Sequence, residues 1–385
     1  MTTSWQNLSR SHYYAALFLG LLITGMTARL MTGPSPDGRN DYLQFYAGAR
    51  LVGTPYLLDS LHIRHEQVRA AGYSRSALEH FVRPPFYAVL LWPLGKLPFE
   101  ASYLVWQSIS LAALVGFLLL WHVPNRRLAI LACSWSFPLM AVFVRGQDVV
   151  LLLGLLALVF QFHDKRPMIT GLMMSLFAIK FNLFLLLPLL LVGQRRWKMA
   201  SGFLLGSVVL IAASFAAAGS IWPAQMYATL SSKAIAPRED ILPNFRGLLQ
   251  PFTDQLVPEL LLDSIAGGMV WIIVRLAAFE CGMAAVILGS LLVSHHAGPP
   301  DAALMIPALL IVASRTTVPW INRLCFILLT PLPYLLLTYG DGFGSVTVLL
   351  LSALLLTMSV EHLRASALPC PIRVSEHAQD QQEVT

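Results

Sequence analysis

One carboxylate and a scatter of cations carry the chemistry this sequence could do. Asp41 closes a polar stretch, and Tyr42, Leu43, Tyr46, Ala47 and Leu51 follow it at helical spacing. Two compatible roles are open to Asp41. It can cap the helix that follows, a position Asp fills well, or act as a general base at the mouth of a cavity open to lipid. In Arg83-Pro84-Pro85-Phe86 two prolines deny the backbone a continuous helix beside a guanidinium. Arg83 then either snorkels to headgroups or contacts a phosphate. Arg145-Gly146-Gln147-Asp148 reads as a tight turn between two apolar runs. Lys180 interrupts an apolar run, where an ionisable side chain is by default a functional hypothesis. A lipid phosphate is its natural contact, and snorkelling to the outer interface is the alternative. Asn244, Arg246 and the late turn Trp320-Ile321-Asn322-Arg323 add further polar groups, with Arg323 at a helix start where its cation could close a phosphate site. The mixed charge of Lys233, Arg238, Glu239 and Asp240 reads as a solvated loop.

A single carboxylate among cations suits a phosphorylated lipid, with the carboxylate as base. No Walker-type loop or dinucleotide fingerprint is present, so a donor must arrive already activated and carried in the membrane. No cofactor or metal is implied. Cys133, Cys281, Cys325 and Cys370 have no metal-site or disulfide spacing, and Asp41 alone is a poor cation ligand set.

The elements that must position these groups are hydrophobic helices. Of 385 residues, 56% are hydrophobic and 12% charged, where soluble domains carry about 25% charged residues. Lipid is the solvent that suits this balance. The net charge of +6 reflects loop Lys and Arg, with no nucleic-acid footprint. Apolar runs cover 13–31, 101–121, 128–144, 149–162, 199–218, 268–293, 302–313, 325–338 and 345–360, with a shorter piece between Pro85 and Pro98. The first run reads as a retained signal-anchor. Runs 168–179 and 181–192 are each too short to cross alone. They read as a hairpin whose tip, Lys180 to Asn182, reaches toward the outer half. The basic clusters Arg126/Arg127, Lys165/Arg166 and Arg195/Arg196/Lys198 belong in the cytoplasm by the positive-inside rule. Asp41, Arg83, Arg145, Lys180, Arg246 and Arg323 then gather at the outer face. Residues 42–51 should lie flat at that interface, with Tyr42 and Tyr46 in the aromatic belt. The expectation is an all-α polytopic protein of ten to twelve helices, one domain over 1–360, and a polar tail, 361–385, without fixed structure.

Four pieces of sequence resemble glycosyltransferase family 87 of the GT-C membrane glycosyltransferases. They are Asp41-Tyr42 with Tyr46-Ala47 and Gly53 through Tyr56; Arg83-Pro84-Pro85-Phe86 with Pro93, Pro98 and Trp106; Gly146-Gln147 with Lys180; and Asn244-Phe245-Arg246-Gly247-Leu248. The resemblance implies a GT-C-type fold and transfer of a hexosyl group, with mannose the expected sugar because the family includes mannosyltransferases. The donor would be a polyprenyl-phosphate sugar and the acceptor a lipid or glycan at the outer side of the cell membrane. It implies an inverting displacement with Asp41 as base. Arg83, Arg145, Gln147, Lys180, Asn244, Arg246, Trp320, Asn322 and Arg323 would bind substrate. A histidine common late in the family is replaced here by Asn322 or Arg323. A lipid-linked-sugar flippase or transporter is the rival reading, and would need charges spread through the midplane. An inactive relative kept for assembly is a third.

Overall fold

The computed structural model describes residues 10–32, 41–71, 80–121, 126–232, 241–252, 255–339 and 344–367. Lys233, Arg238, Glu239, Asp240 and residues 368–385 of the expected tail lie outside these. Among the described residues the chain is all helical, with no strand. The helices are α1 (Arg10–Thr32), α2 (Tyr42–Arg50), α3 (Ser60–Ala71), α4 (Pro85–Gly95), α5 (Phe99–Leu120), α6 (Arg126–Trp135), α7 (Phe137–Arg145), α8 (Val149–Phe162), α9 (Pro167–Ser175) and α10 (Leu187–Gly193). They continue as α11 (Trp197–Ala218), α12 (Trp222–Leu230), α13 (Phe245–Leu249), α14 (Leu256–Leu276), α15 (Phe279–Val293), α16 (Met305–Arg315), α17 (Pro319–Leu329), α18 (Leu332–Tyr339) and α19 (Gly344–Ala367). Two 3₁₀ segments, Leu176–Phe184 and Pro299–Leu304, interrupt the series.

The helices outnumber the ten to twelve expected because proline cuts apolar runs into pieces. Proline opens α4, α7, α9, α10, α12 and α17 at the first turn, where its missing N–H costs nothing. Among the described residues α5, α11, α14, α19 and the segment Pro167–Phe184 are long and apolar enough to cross a membrane, five in all, or six when α6 and α7, bent by 64°, count as one span. Ser136 makes that bend by leaving helical geometry and accepting the Leu139 N–H at 3.2 Å as the cap of α7. The spans show lipid-facing sides: Leu204, Val208 and Ile211 of α11 are all exposed.

Side-chain bonds sort the helix ends into two faces. The Tyr13 hydroxyl donates to the Arg127 carbonyl at 3.2 Å, so α1 starts where α6 starts. Arg196 pairs with Asp164 at 2.6 Å and lies over the Phe279 ring, on which His163 stacks. This gathers the 163–166 and 195–198 loops and the start of α15 at the same basic end. At the other end, the Asp41 N–H donates to the Arg145 carbonyl at 2.7 Å. The Asn182 amide donates to Ser294 Oγ, just past α15, at 2.9 Å.

The hairpin takes the shape its sequence requires. It leaves the basic end as α9, loses helical geometry at Lys180 (φ −128°, ψ 65°) and returns as α10. Gly171, Gly202 and Gly206 fix its first arm to α11. A Cβ on Gly171 would stand 1.9 Å from the Met199 carbonyl oxygen, and one on Gly202 2.1 Å from that of Met168. Such close approach is how apolar helices gain dispersion where lipid supplies no hydrophobic drive.

Helix α2 corrects the expectation of an interfacial aromatic belt. Tyr42 is 0% exposed and Tyr46 3%. The Tyr42 ring stacks on Trp106 at 5.2 Å, its hydroxyl meets Ser102, and the Tyr46 hydroxyl donates to the Leu97 carbonyl at 2.8 Å. Helices α3, α4 and α5 cover α2, so its apolar residues face protein on all sides. At the far end of the chain, α19 continues to Ala367 and returns to the basic end, where Glu361 accepts from the Thr316 hydroxyl.

Candidate functional site

The site grows from one turn. Helix α7 stops at Gly146, whose left-handed backbone (φ 68°) turns the chain sharply. Trp106 Nε1 holds the Gly146 carbonyl at 3.0 Å. Gln147 and Asp148 are thereby aimed inward before α8 begins. Opposite them, the Asp41 backbone is tied to Arg145, and Gln147 Nε2 donates to Asp41 Oδ2. Asp41 occupies the position before α2 but makes no side-chain capping bond. Its carboxylate looks into the site, which is the outcome the capping role does not require.

Burial raises the Asp41 carboxyl above the ordinary range; Arg145, the Gln147 amide, Lys180 and Arg83 oppose burial without overcoming it. A carboxyl tuned upward is better matched to taking a proton near neutral pH.

Beside Asp41 lies a buried ionic chain. Arg83 Nε and Nη2 grip the two Asp148 oxygens at 2.7 and 3.1 Å, and the guanidinium lies over the Phe45 ring. Lys180 Nζ lies 3.6 Å from Asp148 Oδ1 and hydrogen-bonds Asp301 Oδ1. Asp301 Oδ2 accepts the Gly298 N–H at 2.9 Å, fixing the 3₁₀ turn that carries it. Burial would raise the Asp148 carboxyl, but Arg83 and Lys180 outweigh it and hold it below its ordinary value. Snorkelling of Arg83 and Lys180 is excluded in this arrangement, since both are under 9% exposed and paired with carboxylates. Asp41, Asp148 and Asp301 thus face Arg83, Arg145 and Lys180, a cluster without net charge.

A second group borders the first at the same end. Asn244 caps α13 by accepting the Gly247 N–H at 2.9 Å, and donates to the Ser294 carbonyl. Arg246 Nη1 lies 3.6 Å from Glu259, whose other oxygen meets His295 at 2.9 Å. Asn244 therefore has a structural role whatever else it does. Among the described residues no group of His, Cys, Asp and Glu could hold a metal ion.

Trp320, Asn322 and Arg323 do not join the site. They open α17 at the basic end, just past Arg315, which pairs with Glu280 in the first turn of α15. The far end of α17, Leu328 and Leu329, is the part that reaches Ala302. The outer-face reading of Arg323 took 268–293 as one span; the structure breaks it into the end of α14 and α15, which turn at the basic end, so 302–313 traverses back to that end.

Two acidic residues were missed as partners. Asp148 was legible only as part of a turn, and Asp301 not at all. The signal for Asp301 was Gly298-Pro299-Pro300-Asp301, a second double-proline break with a charge at the foot of an apolar run.

Residues 81–240 match the model of Glycosyltransferase family 87. That stretch includes Arg83, Arg145, Gln147, Asp148 and Lys180 and leaves Asp41 and Asp301 outside. A similar curated protein is a polyprenol-phosphate-mannose-dependent alpha-(1-2)-phosphatidylinositol pentamannoside mannosyltransferase of Mycolicibacterium smegmatis, 33% identical over 209 residues, which are 51% of this chain and 48% of that protein. The chain thus spans about half the length of that relative. No solved structure matches.

Proposed function

We propose that the chain is a glycosyltransferase family 87 protein, a reading supported by the match of residues 81–240 to that family's model, and that it transfers a hexosyl group, mannose, from a polyprenyl-phosphate donor to a membrane-associated acceptor. The donor class follows the printed specificity of the mycobacterial relative. The supporting observation is the Asp41 carboxylate: buried, held by the Gln147 amide, and the one carboxylate of the three in the cluster with no direct ion pair. Asp41 takes the proton of an acceptor hydroxyl. That oxygen forms a bond to the anomeric carbon, and the bond from that carbon to the phosphate oxygen breaks. Attack from the face opposite the phosphate inverts the configuration. The phosphate leaves with its electron pair toward Arg83, Arg145 and Lys180, whose charge is worth most where water is excluded. Gln147 orients the base by holding one carboxylate oxygen.

The basic loops lie at the end away from Asp41, so the positive-inside rule favours an outward-facing site. A transport path finds no support, because the buried charges gather at one end instead of lining the midplane. The test is Asp41→Asn, purified in micelles, assayed with labelled polyprenyl-phosphate mannose. Wild-type rates in a folded variant would remove Asp41 from the mechanism.

A further inference from the structure

The charge count of the cluster poses a problem that the proposed transfer must solve. Three carboxylates face three cations, so an arriving phosphate finds no surplus positive charge. A buried anion without a partner is expensive, so one carboxylate must yield its cation. The geometry identifies which. Asp148 is clasped at both oxygens by Arg83, at 2.7 and 3.1 Å, and its distance to Lys180 is the longer of the two lysine contacts. Asp41 touches no cation directly. Asp301 has two ties: Lys180 through Oδ1, and the Gly298 N–H through Oδ2 at 2.9 Å. The lysine end of the Lys180–Asp301 bond sits on interrupted backbone. Lys180 is the non-helical residue of the hairpin, and Asp301 lies in the Pro299–Leu304 turn between α15 and α16. Lys180 is thus not set inside a helix whose rotamers would lock it.

We propose that Asp301 is a resting counter-ion that masks Lys180, and that the phosphate of a polyprenyl-phosphate ligand takes the lysine from it. The proposal rests on the transferase reading above and adds a residue and a binding order to it. The exchange is a swap of oxygen partners around one ammonium. No covalent bond changes, and Asp301 keeps the Gly298 N–H. Asp301 is a positioning residue in this scheme, since it holds Lys180 ready without touching the reacting atoms. Masking also gives the buried lysine a close partner while the site awaits donor, the Asp148 oxygen standing 3.6 Å off.

The test is thermal unfolding of the full chain in micelles, with and without farnesyl phosphate as probe, for wild type, Asp301→Asn and the pair-removing variant Lys180→Met/Asp301→Leu. Asp301→Asn keeps an acceptor for Gly298 but releases the lysine. It should melt below wild type without ligand, be raised more than wild type by farnesyl phosphate, and bind it about tenfold tighter, as removal of a competing state does. A residue that only supports the fold would lower the melting point and leave the ligand-induced shift unchanged or smaller. That result overturns the masking. The double variant carries no buried pair to break. It should fold and lose the farnesyl phosphate response, and a wild-type response there overturns Lys180 as the ligand even if Asp301→Asn does not fold. Farnesyl phosphate that shifts neither wild type nor Asp301→Asn, together with absent transfer, removes the transferase reading as well. Transfer that proceeds with an unenlarged Asp301→Asn shift removes the masking alone.

Discussion

Asp148 is the residue on which the ionic chain turns, and its removal should be the most costly single change in the site. Arg83 holds it with two bonds, 2.7 and 3.1 Å long, and Lys180 stands 3.6 Å behind. Asp148→Ala leaves the Arg83 guanidinium buried with only the Val82 carbonyl, 3.5 Å away, and the Phe45 ring. Removing one partner of a buried pair costs about 3–5 kcal/mol. Lys180 retains Asp301, so the cost falls on Arg83 alone. Asp148→Asn keeps the size and one acceptor, and a hydrogen bond to a charged group is worth about 1.5–3 kcal/mol, so its cost should be about 2 kcal/mol. Arg83→Met/Asp148→Leu removes both charges and should lie within about 1 kcal/mol of wild type. The assay is reversible unfolding in mixed micelles, followed by far-ultraviolet circular dichroism, on Asp148→Ala, Asp148→Asn, the singles Arg83→Met and Asp148→Leu, and their double. The reasoning predicts strong coupling. Single-variant costs that add in the double to within about 0.5 kcal/mol would refute it, because they would show that Arg83 and Asp148 do not act on each other.

Loss of the base in Asp41→Asn should slow transfer by about 10²–10⁴-fold, with little change in donor affinity. Because burial raises the Asp41 carboxyl, the acid limb of the transfer-rate profile should fall at a pH above that of an ordinary aspartate, and a limb at the ordinary value would exclude Asp41 as its source. The same shift has a sign in stability. A raised folded-state value means Asp41's contribution is present at low pH and is lost as pH rises through that value, so Asp41→Asn should flatten the decline; Asp148, held low, contributes above its unfolded value and loses that contribution as pH falls through its folded value. Gly202→Leu should separate α9 from α11 and cost about 1–3 kcal/mol in unfolding. Arg323→Ala, at the basic end, should leave transfer kinetics as in wild type, and a lost donor response would refute its placement.

Much of the architecture was readable because lipid imposes simple rules. Two short apolar runs around one lysine could only be a hairpin, and the break at Lys180 bears this out. The basic loops gather at one end, as the distribution of Arg and Lys implied. The amphipathic reading of α2 failed for a specific reason. Periodicity shows that one face is apolar, and cannot show that a neighbouring segment such as α4 will cover the other. The cations were legible one by one, but their partners were not. Arg83 and Asp148 are 65 residues apart and Lys180 and Asp301 are 121 apart, and no local pattern reports a contact across that distance. The crossing count before 302–313 decided the side on which Arg323 falls, and the break between α14 and α15 inside the apolar run 268–293 was enough to reverse it.

The two arms of the hairpin are held unequally. Glycine seats the outgoing arm directly on the backbone of α11, with the Gly171 and Met199 main chains in contact, while the returning arm meets α14 and α15 through longer side chains such as Leu190 and Gln194. A tight seam resists sliding and a side-chain seam yields by rotamer changes. Motion about the Lys180 break should therefore be one-sided, with α10 and α15 shifting while the α9–α11 seam stays fixed. A bulky isoprenoid would then be admitted on the α10–α15 side, and the Pro299–Leu304 turn that carries Asp301 follows α15 directly.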